Sequence, residues 1–257
     1  MNGRTVIKFT RTYYDGYDIS GYERTIGPLA CTFPEVDLTV ITDPLHGFLP
    51  GQTNITPGNY TGIFAKDTAG DIVTVGDAGK GLGHDISVAI GIQAVPAAGD
   101  PVFAGTFDQK AFTGAIDKAG GVTISMPFGG WSNAATSLVY GNPWGRLQHA
   151  LGAETAANTA IGMDWGAGTA LGGYAVFHLM SSDNAVTLAV QHSTTTNLNA
   201  SFSNLITSGS LDASSTPKHI LVALAKTATV GQFTRWNISL GSATTCTFVC
   251  SFVRGNQ

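Results

Sequence analysis

Residues 74–83 (TVGDAGKGLG) carry the glycines and the lysine that a phosphate-binding loop would need. Glycine follows Lys80 where such a loop places a magnesium-binding hydroxyl, and Thr74 stands in place of the leading glycine. A dinucleotide fingerprint that begins at Gly81 fails as well, because Ile86 occupies the position of its last glycine. We therefore predict no nucleotide site and no cofactor.

Metal binding and acid–base catalysis would use histidines or carboxylates. No two of the six histidines have a spacing that places both on one metal, and we expect each to lie on a surface or an interface: His46, His84, His149, His178, His192 and His219. The 17 acidic residues allow a glycosidase-like pair in principle, but the sequence does not show which two converge. We predict no catalytic and no metal-binding residues. An enzyme is therefore the third of the three function classes that we consider, after a structural subunit and a carbohydrate-binding module.

The four tryptophans could form a platform on which sugars stack, as in carbohydrate-binding β-sandwich modules. Trp236 lies in an alternating run with Ile238 and Leu240 and is predicted to be a core residue. The others, Trp131, Trp144 and Trp165, are next to glycines at predicted turns. A carbohydrate-binding module is therefore the second alternative.

The three cysteines are predicted to be buried thiols. Cys246 and Cys250 are four residues apart in a predicted strand, which separates their Cα atoms by about 13 Å, beyond the roughly 7 Å that a disulfide allows. A metal pair would need a third ligand, and none is near in the sequence.

The elements that must position all these side chains are predicted to be strands, with little helix. In residues 185–191 (AVTLAVQ), Val186, Leu188 and Val190 alternate with residues that would face outward. Similar runs occur at residues 6–13, 60–65, 86–92, 122–126, 173–180, 220–225, 235–240 and 247–253. So many short strands predict an all-β sandwich or barrel.

One segment departs from the strand pattern, and another is a strand with two apolar faces. Residues 142–152 (NPWGRLQHALG) are the one helical candidate, with a start after Pro143 and a stop at Gly152. In residues 247–253 both alternating faces are apolar, which predicts a strand that is covered on both sides and fits an assembly.

The chain is poor in charge for its length. Only 12% of its 257 residues are charged, and 33 are glycine. Residues 121–257 hold five bases and four acids, whereas residues 1–120 hold 8 bases and 13 acids. The N-terminus shows no signal peptide and no stretch is long enough for a membrane span, so we expect a start in the cytoplasm. Low charge then favours a subunit whose faces are covered by copies of itself.

The drop in charge near residues 129–145 suggests two domains, 1–140 and 141–257. Within the first, residues 43–58 (DPLHGFLPGQTNITPG) combine three prolines and three glycines with Leu45, Phe48 and Leu49. Such a loop is too apolar to remain exposed to water. It either folds back on its own core or inserts into a neighbouring subunit.

Several segments, taken in order, resemble the major tail (tail tube) proteins of long-tailed, non-contractile bacteriophages. In the first half these are residues 13–20 (YYDGYDIS), 33–42 (FPEVDLTVIT), 48–51 (FLPG) and 58–64 (GNYTGIF). In the second half they are residues 175–180 (AVFHLM), 190–193 (VQHS) and 235–254 (RWNISLGSATTCTFVCSFVR). The middle of the chain shows no such resemblance.

The resemblance implies a tail-tube-type β-barrel or sandwich followed by a C-terminal β-sandwich. It implies hexameric rings, assembled in the host cytoplasm, that stack into the tail tube of the virion and conduct double-stranded DNA without binding it specifically. Tape measure and terminator proteins would be partners, with no membrane involved. Residues 43–58 match the loop between rings, so that the implied contact residues are Leu45, His46, Phe48, Leu49 and Pro50. A decoration or tail-terminator protein is the alternative within the virion class.

Overall fold

The computed structural model describes residues 9–32, 35–37, 48–50, 54–64, 72–91, 95–116, 121–131 and 142–255. Its first half contains strands β1 Phe9–Tyr14, β2 Tyr17–Asp18, β3 Glu23–Gly27, β4 Ala30–Thr32, β5 Glu35–Asp37, β6 Phe48–Pro50, β7 Asn54–Thr56, β8 Asn59–Ile63, β9 Gly83–Gly91, β10 Pro101–Gln109, β11 Thr113–Ile116 and β12 Val122–Trp131, with helix α1 Ile72–Ala78. The second half contains β13 Trp144–Glu154, β14 Met163–Asp164, β15 Gly173–Ser182, β16 Val186–Ser193, β17 Ser203–Leu211, β18 Lys218–Ala223, β19 Phe233–Ser239 and β20 Cys246–Arg254.

The described strands pair in antiparallel fashion. The largest sheet begins with the order β18-β15-β20-β13-β10 and then branches, because β10 pairs with β9 as well as with β12. The β9 branch leads to β1 and β2, and the β12 branch leads to β8, β3 and β11. A second sheet has the order β14-β19-β16-β17. The all-β prediction is therefore confirmed, and each of the nine predicted strand runs contains or overlaps a strand.

Strand β20 is buried on both faces, as its sequence predicts. Phe248, Cys250 and Phe252 pack against the second sheet, in a core with Leu188 and Ile238. On the opposite face, Val249 and Val253 join a separate core with residues of β1, β9 and β10. Both covering layers belong to the same chain, so a neighbouring subunit is not needed to explain this strand. Cys246 and Cys250 are buried free thiols, as predicted, whereas Cys31 is only half-buried.

The large sheet is rolled. Strands β15 and β18 contact β9, although four strands lie between β18 and β9 in the hydrogen-bonding order. Tyr13, Ala89, Val102, Tyr174 and Val176 fill the interior of this roll and are fully buried. Among the described strands, β18 pairs only with β15 and β2 only with β1, so the roll has an open seam and is not a closed barrel.

The first-half core lies under α1, on the other face of β9 and β10. It contains Tyr14, Tyr60, Phe103 and Phe107, all fully buried. The sequence did not predict α1, because β-branched residues and a glycine disfavour a helix of this length. Tertiary contacts hold it there: an added Cβ on Gly76 would lie 2.6 Å from the Phe112 ring.

The helix predicted at residues 142–152 is wrong, because this segment forms β13. Its backbone pairs with β10 on one side and β20 on the other. Pairing along both edges outweighs the local signals of Pro143 and Gly152. Gly145 permits the close approach, since a Cβ there would lie 2.1 Å from the carbonyl oxygen of Phe252. Backbone hydrogen bonds thus cross the proposed domain boundary at residue 140, which itself stays a prediction.

Asp15 and Gly16 form a two-residue hairpin turn between β1 and β2, and we call it the DG turn. Both residues have positive φ, 49° and 87°, as a type I′ turn requires. The turn abuts β18, because a Cβ on Gly16 would lie 2.7 Å from the carbonyl oxygen of Lys218. The DG turn therefore lies where the rolled sheet meets itself.

This contact predicts that replacing Gly16 with alanine destabilises the protein more than the same change at Gly81, a glycine of similar φ. Gly81, at φ 78°, has open space around it, with no atom within 4 Å of the point where a Cβ would lie, so Gly81→Ala should cost only about 1 kcal/mol of backbone strain. Gly16→Ala adds a clash with β18 and should cost about 1–3 kcal/mol more. Urea denaturation of both variants measures the difference, and equal losses would contradict the close contact.

Candidate functional site

Only some of the residues implied as a contact between rings belong to the described part of the chain. Leu45 and His46 are outside the described residues. Phe48, Leu49 and Pro50 form β6, whose backbone pairs with β5. Part of the predicted loop is therefore a hairpin strand, and Asn54–Thr56 is a second strand that pairs with Ala30–Thr32. A role for these residues in contacts between subunits stays a prediction.

The side chains that do converge are histidines and aspartates along the seam of the roll. The DG turn contributes Asp15, β9 contributes His84 and Asp85, and β15 and β18 contribute His178 and His219. The prediction of dispersed surface histidines is wrong here. Antiparallel pairing places His178 directly opposite His219, and His84, His149 and His178 are all buried.

His178 is fully buried and uses both ring nitrogens. The Gly16 N–H donates to Nδ1 at 3.2 Å, so the proton is on Nε2, which donates to Ser87 Oγ at 3.0 Å. Burial lowers the pKa of His178 to about 4, although the charge of Asp85 acts in the opposite direction. His178 is therefore a neutral hydrogen-bonded link between β15, the DG turn and β9.

His84 is held on the Asp15 side of the seam. Its Nδ1 contacts the Asp15 carboxylate, and its Nε2 donates to the carbonyl oxygen of Gly79 at 2.7 Å. Burial lowers the pKa of His84, but the hydrogen bond and charge of Asp15 outweigh it, so that the net pKa is raised. The Tyr14 ring stacks on the imidazole at 4.7 Å.

His219 completes the cluster from β18. Its Nδ1 lies 2.9 Å from Asp85 and 3.3 Å from Asp15. Burial lowers the pKa of His219, and the hydrogen bond to Asp85 with the two carboxylate charges raises it above the ordinary value. Burial raises the pKa of Asp85, but hydrogen bonds from His219 and Thr106 more than offset this effect and lower it.

This geometry links the strands on the two sides of the seam, and two of its histidines are not free to accept a proton. Both nitrogens of His84 and of His178 already have partners, so neither can accept a proton from a substrate. Within the described part of the chain, no three metal-ligand side chains are placed to share an ion. The prediction that the chain is not an enzyme stays a prediction. The Asp15–Gly16 pair is a local signal for the DG turn. Nothing local identifies His178, which is separated along the chain by 91 residues from Ser87 and by 162 residues from Gly16.

Of the tryptophans whose side chains are described, two pack against the second-half core. Trp236 contacts His149 and Phe248 edge-on, which supports its prediction as a core residue. Trp165 lies beneath the guanidinium groups of Arg146 and Arg254. Trp144 contacts Phe103 on the large sheet. These three rings therefore have different neighbours and no shared stacking platform.

One end of the β8, β12 and β11 strands exposes a group of large apolar side chains, which we call the apolar edge. It consists of Ile63, Phe64 and Ile116, with exposed fractions of 50%, 41% and 77%. Val122 connects them, because it pairs with Ile116 while its carbonyl oxygen accepts from the Phe64 N–H. Strand β11 pairs only with β12 among the described strands, so it is an edge strand of the described sheet.

No described helix is long and apolar enough to cross a membrane. The chain matches no protein-family model and no curated protein. Among solved structures it is similar to the crystal structure of the SPP1 Dit (gp 19.1) protein, which is described as a paradigm of the hub adsorption apparatus in phages that infect Gram-positive bacteria. The alignment has 11% identity, a TM-score of 0.34, and covers 95% of this chain and 98% of that one. This TM-score is too low to indicate a shared fold.

Two fully buried serines should respond oppositely to loss of their hydroxyl groups. Ser87 Oγ accepts a hydrogen bond from His178, whereas Ser251 Oγ has no hydrogen-bond partner among the described residues. Ser87→Ala leaves a buried donor unpaired and should cost about 1–3 kcal/mol. Ser251→Ala removes an unpaired hydroxyl and should be neutral or slightly stabilising. Thermal unfolding of both variants checks this contrast, and a clear loss for Ser251→Ala would refute it.

His178 should make stability depend on pH. Its pKa of about 4 lies below the unfolded value of 6.5, so the unfolded chain binds more protons between these values. Stability should then fall as pH decreases through this window, by roughly 3 kcal/mol. His84 and His219 act in the opposite sense. Their contribution is complete below their unfolded pKa and is lost as pH rises through the raised folded values.

The measurement is urea denaturation between pH 4.5 and 9, with His178→Gln as the comparison. Glutamine can accept from the Gly16 N–H and donate to Ser87 without titrating, so the variant should lose most of the slope on the acid side. An unchanged slope would show that other groups control acid sensitivity.

Proposed function

We propose that the chain is a structural protein of a bacteriophage virion, specifically a tail tube subunit that forms stacked hexameric rings and conducts DNA during ejection. Its activity is self-assembly, with no catalysis. Its partners are other copies of itself and the tape measure and terminator proteins of the tail.

The order of the family-like segments supports this proposal, and these segments occupy structural strands. Residues 175–180 lie in β15, residues 190–193 end β16, and residues 235–254 span β19 and β20. Residues 13–20 form the DG turn and its flanking strands. These segments therefore include β1, β2, β15 and β20 of the rolled sheet and β16 and β19 of the second sheet.

The apolar edge is the observation that carries the proposal. Ile116 is on an edge strand that is exposed along all four residues, and Ile63 and Phe64 extend the same surface. Each such side chain gains about 1.5–3 kcal/mol when it is fully buried. A second copy that pairs with β11 would satisfy its backbone groups and cover these side chains together.

Acidic side chains on the wall of a tube could repel the phosphates of DNA, and residues 1–120 hold 13 of the 17 acids. Several of these acids are, however, engaged in contacts within the fold. Asp15 and Asp85 are part of the seam, Asp18 pairs with Arg11, and Glu23 accepts hydrogen bonds from Thr10 and Thr12. These acids stabilise the fold. A wall that repels DNA phosphates would have to use other acids, such as the exposed Asp108.

Negative-stain microscopy of the concentrated protein tests the proposal, with Ile116→Asp as the disruptive variant. Ile161→Asp is the matched control, because Ile161 is 78% exposed but lies in the second half. We expect rings or tubes for the original chain and the control, and a large decrease for Ile116→Asp. Deletion of residues 46–50 should leave rings that do not stack. A monomer at every concentration, also with the partner tail proteins present, would refute the proposal.

A further inference from the structure

Two arginines of the second half pack on one tryptophan ring, and we call them the arginine pair. The guanidinium carbon of Arg146 on β13 lies 4.6 Å from the centre of the Trp165 ring, and that of Arg254 on β20 lies 5.1 Å from it. Arg146 is directly opposite Phe252, and Arg254 is two residues from Phe252 on β20, so all three side chains are on one face of the sheet. Trp165 contacts Phe252 edge-on on this face. The strand register therefore brings both cations to the same ring.

The Trp165 ring is held in place by hydrogen bonds. Its peptide N–H donates to the carbonyl oxygen of Gln232 at 3.0 Å, and its indole Nε1 donates to Thr234 Oγ1 at 2.7 Å. Backbone and side chain are thus both fixed to the segment that contains β19. A ligand of the arginine pair would meet a preformed surface, so that little ordering would accompany binding.

Each guanidinium of the arginine pair has one hydrogen-bonded nitrogen in the described structure. Arg146 Nη1 donates to the carbonyl oxygen of Asp164 at 2.9 Å, and Arg254 Nη1 donates to that of Ala167. Arg254 Nε is buried and has no partner among the described residues. A guanidinium carries five N–H donors, so most donors of the pair are unused within this part of the chain. A buried donor without a partner is explained by a functional role or by a bound water or ion.

The arginine pair carries more charge than the acid beside it. Among the described residues neither guanidinium forms an ion pair, although the charge of Arg146 acts on Asp164. Asp164 Oδ1 accepts from the Gly166 N–H at 2.7 Å and from Gln232 Nε2 at 2.9 Å, within its own turn. Burial lowers the pKa of Arg254, and the charge of Arg146 lowers it further. These two like charges repel each other, and a bound anion would offset the repulsion.

We infer that the arginine pair binds a small tetrahedral oxyanion, either free phosphate or sulfate or the phosphate of a monoester. Four oxygens allow such a group to accept hydrogen bonds from both guanidinium groups at once, whereas a carboxylate matches a single guanidinium fork. The neighbouring residues Asp164, Gly166 and Ala167 are exposed, so the oxyanion reaches the pair from solvent. This site lies in the second half of the chain and does not depend on the proposed role in a tail tube.

Isothermal titration calorimetry of the full chain at constant ionic strength tests this inference, with inorganic phosphate, sulfate, glycerol 3-phosphate and acetate as probes. At least one of the three tetrahedral oxyanions should bind with a dissociation constant below about 1 mM, and acetate should bind at least about tenfold more weakly. The preference between phosphate and glycerol 3-phosphate shows whether the group is bound free or as an ester. Absence of binding by all three tetrahedral oxyanions, or equal binding of acetate, would overturn the inference.

Three variants locate the binding. Arg146→Gln and Arg254→Gln each remove one guanidinium and should weaken binding at least about tenfold, because each loses charge-assisted hydrogen bonds. Arg24→Gln is the matched control, since Arg24 is an exposed arginine of β3, and the same loss of charge there should leave binding unchanged. Circular dichroism confirms that each variant is folded. If Arg146→Gln and Arg254→Gln both bind as well as the original chain, or if Arg24→Gln weakens binding equally, the inference is wrong.

Discussion

The fold depends on how a rolled sheet is held together where its strands do not pair. Backbone hydrogen bonds run through the sheet from β18 to β2, but at the seam between these strands the link consists of side chains. His178 and His219 reach from the second half to Ser87, Asp85 and the DG turn of the first. Buried polar groups must find partners, and each of these finds one across the seam. These hydrogen bonds join the two halves of the chain where the strands do not pair.

Much of this architecture was predictable, since alternation is a local property. Val186, Leu188 and Val190 are buried as their spacing predicts. Ala189 is also buried, although the pattern placed it outward. On the same face of the second sheet, Arg235 donates to the carbonyl oxygen of Ala160, 75 residues away in the chain. Contacts between distant segments are not visible in a local pattern. Strand β13 was misread for the same reason, since its pairing with β10 and β20 is a tertiary property that its own residues do not encode.

The functional features were less predictable than the strands. The histidine cluster joins residues 134 positions apart, and no spacing rule connects His219 with Asp85. Arg146 and Arg254 were visible only as two of five bases in a weakly charged half, and their convergence depends on the pairing of β13 with β20. Trp165 was assigned to a turn, but its ring packs against the core and also beneath the arginine pair. One side chain can do both at the edge of a sandwich, where core and surface meet.

The position of β20 in the sheet also sets the order in which the chain can fold. Strands β13 and β15 both pair with β20, which lies near residue 250, so each has an unpaired edge until that segment has left the ribosome. The core around Phe248 and Phe252 is incomplete until then. Long-range pairing of this kind slows folding and leaves strand edges exposed to other chains. Cells that synthesise this protein rapidly must therefore protect a half-built sheet, and slower translation or a chaperone should raise the yield of folded chains.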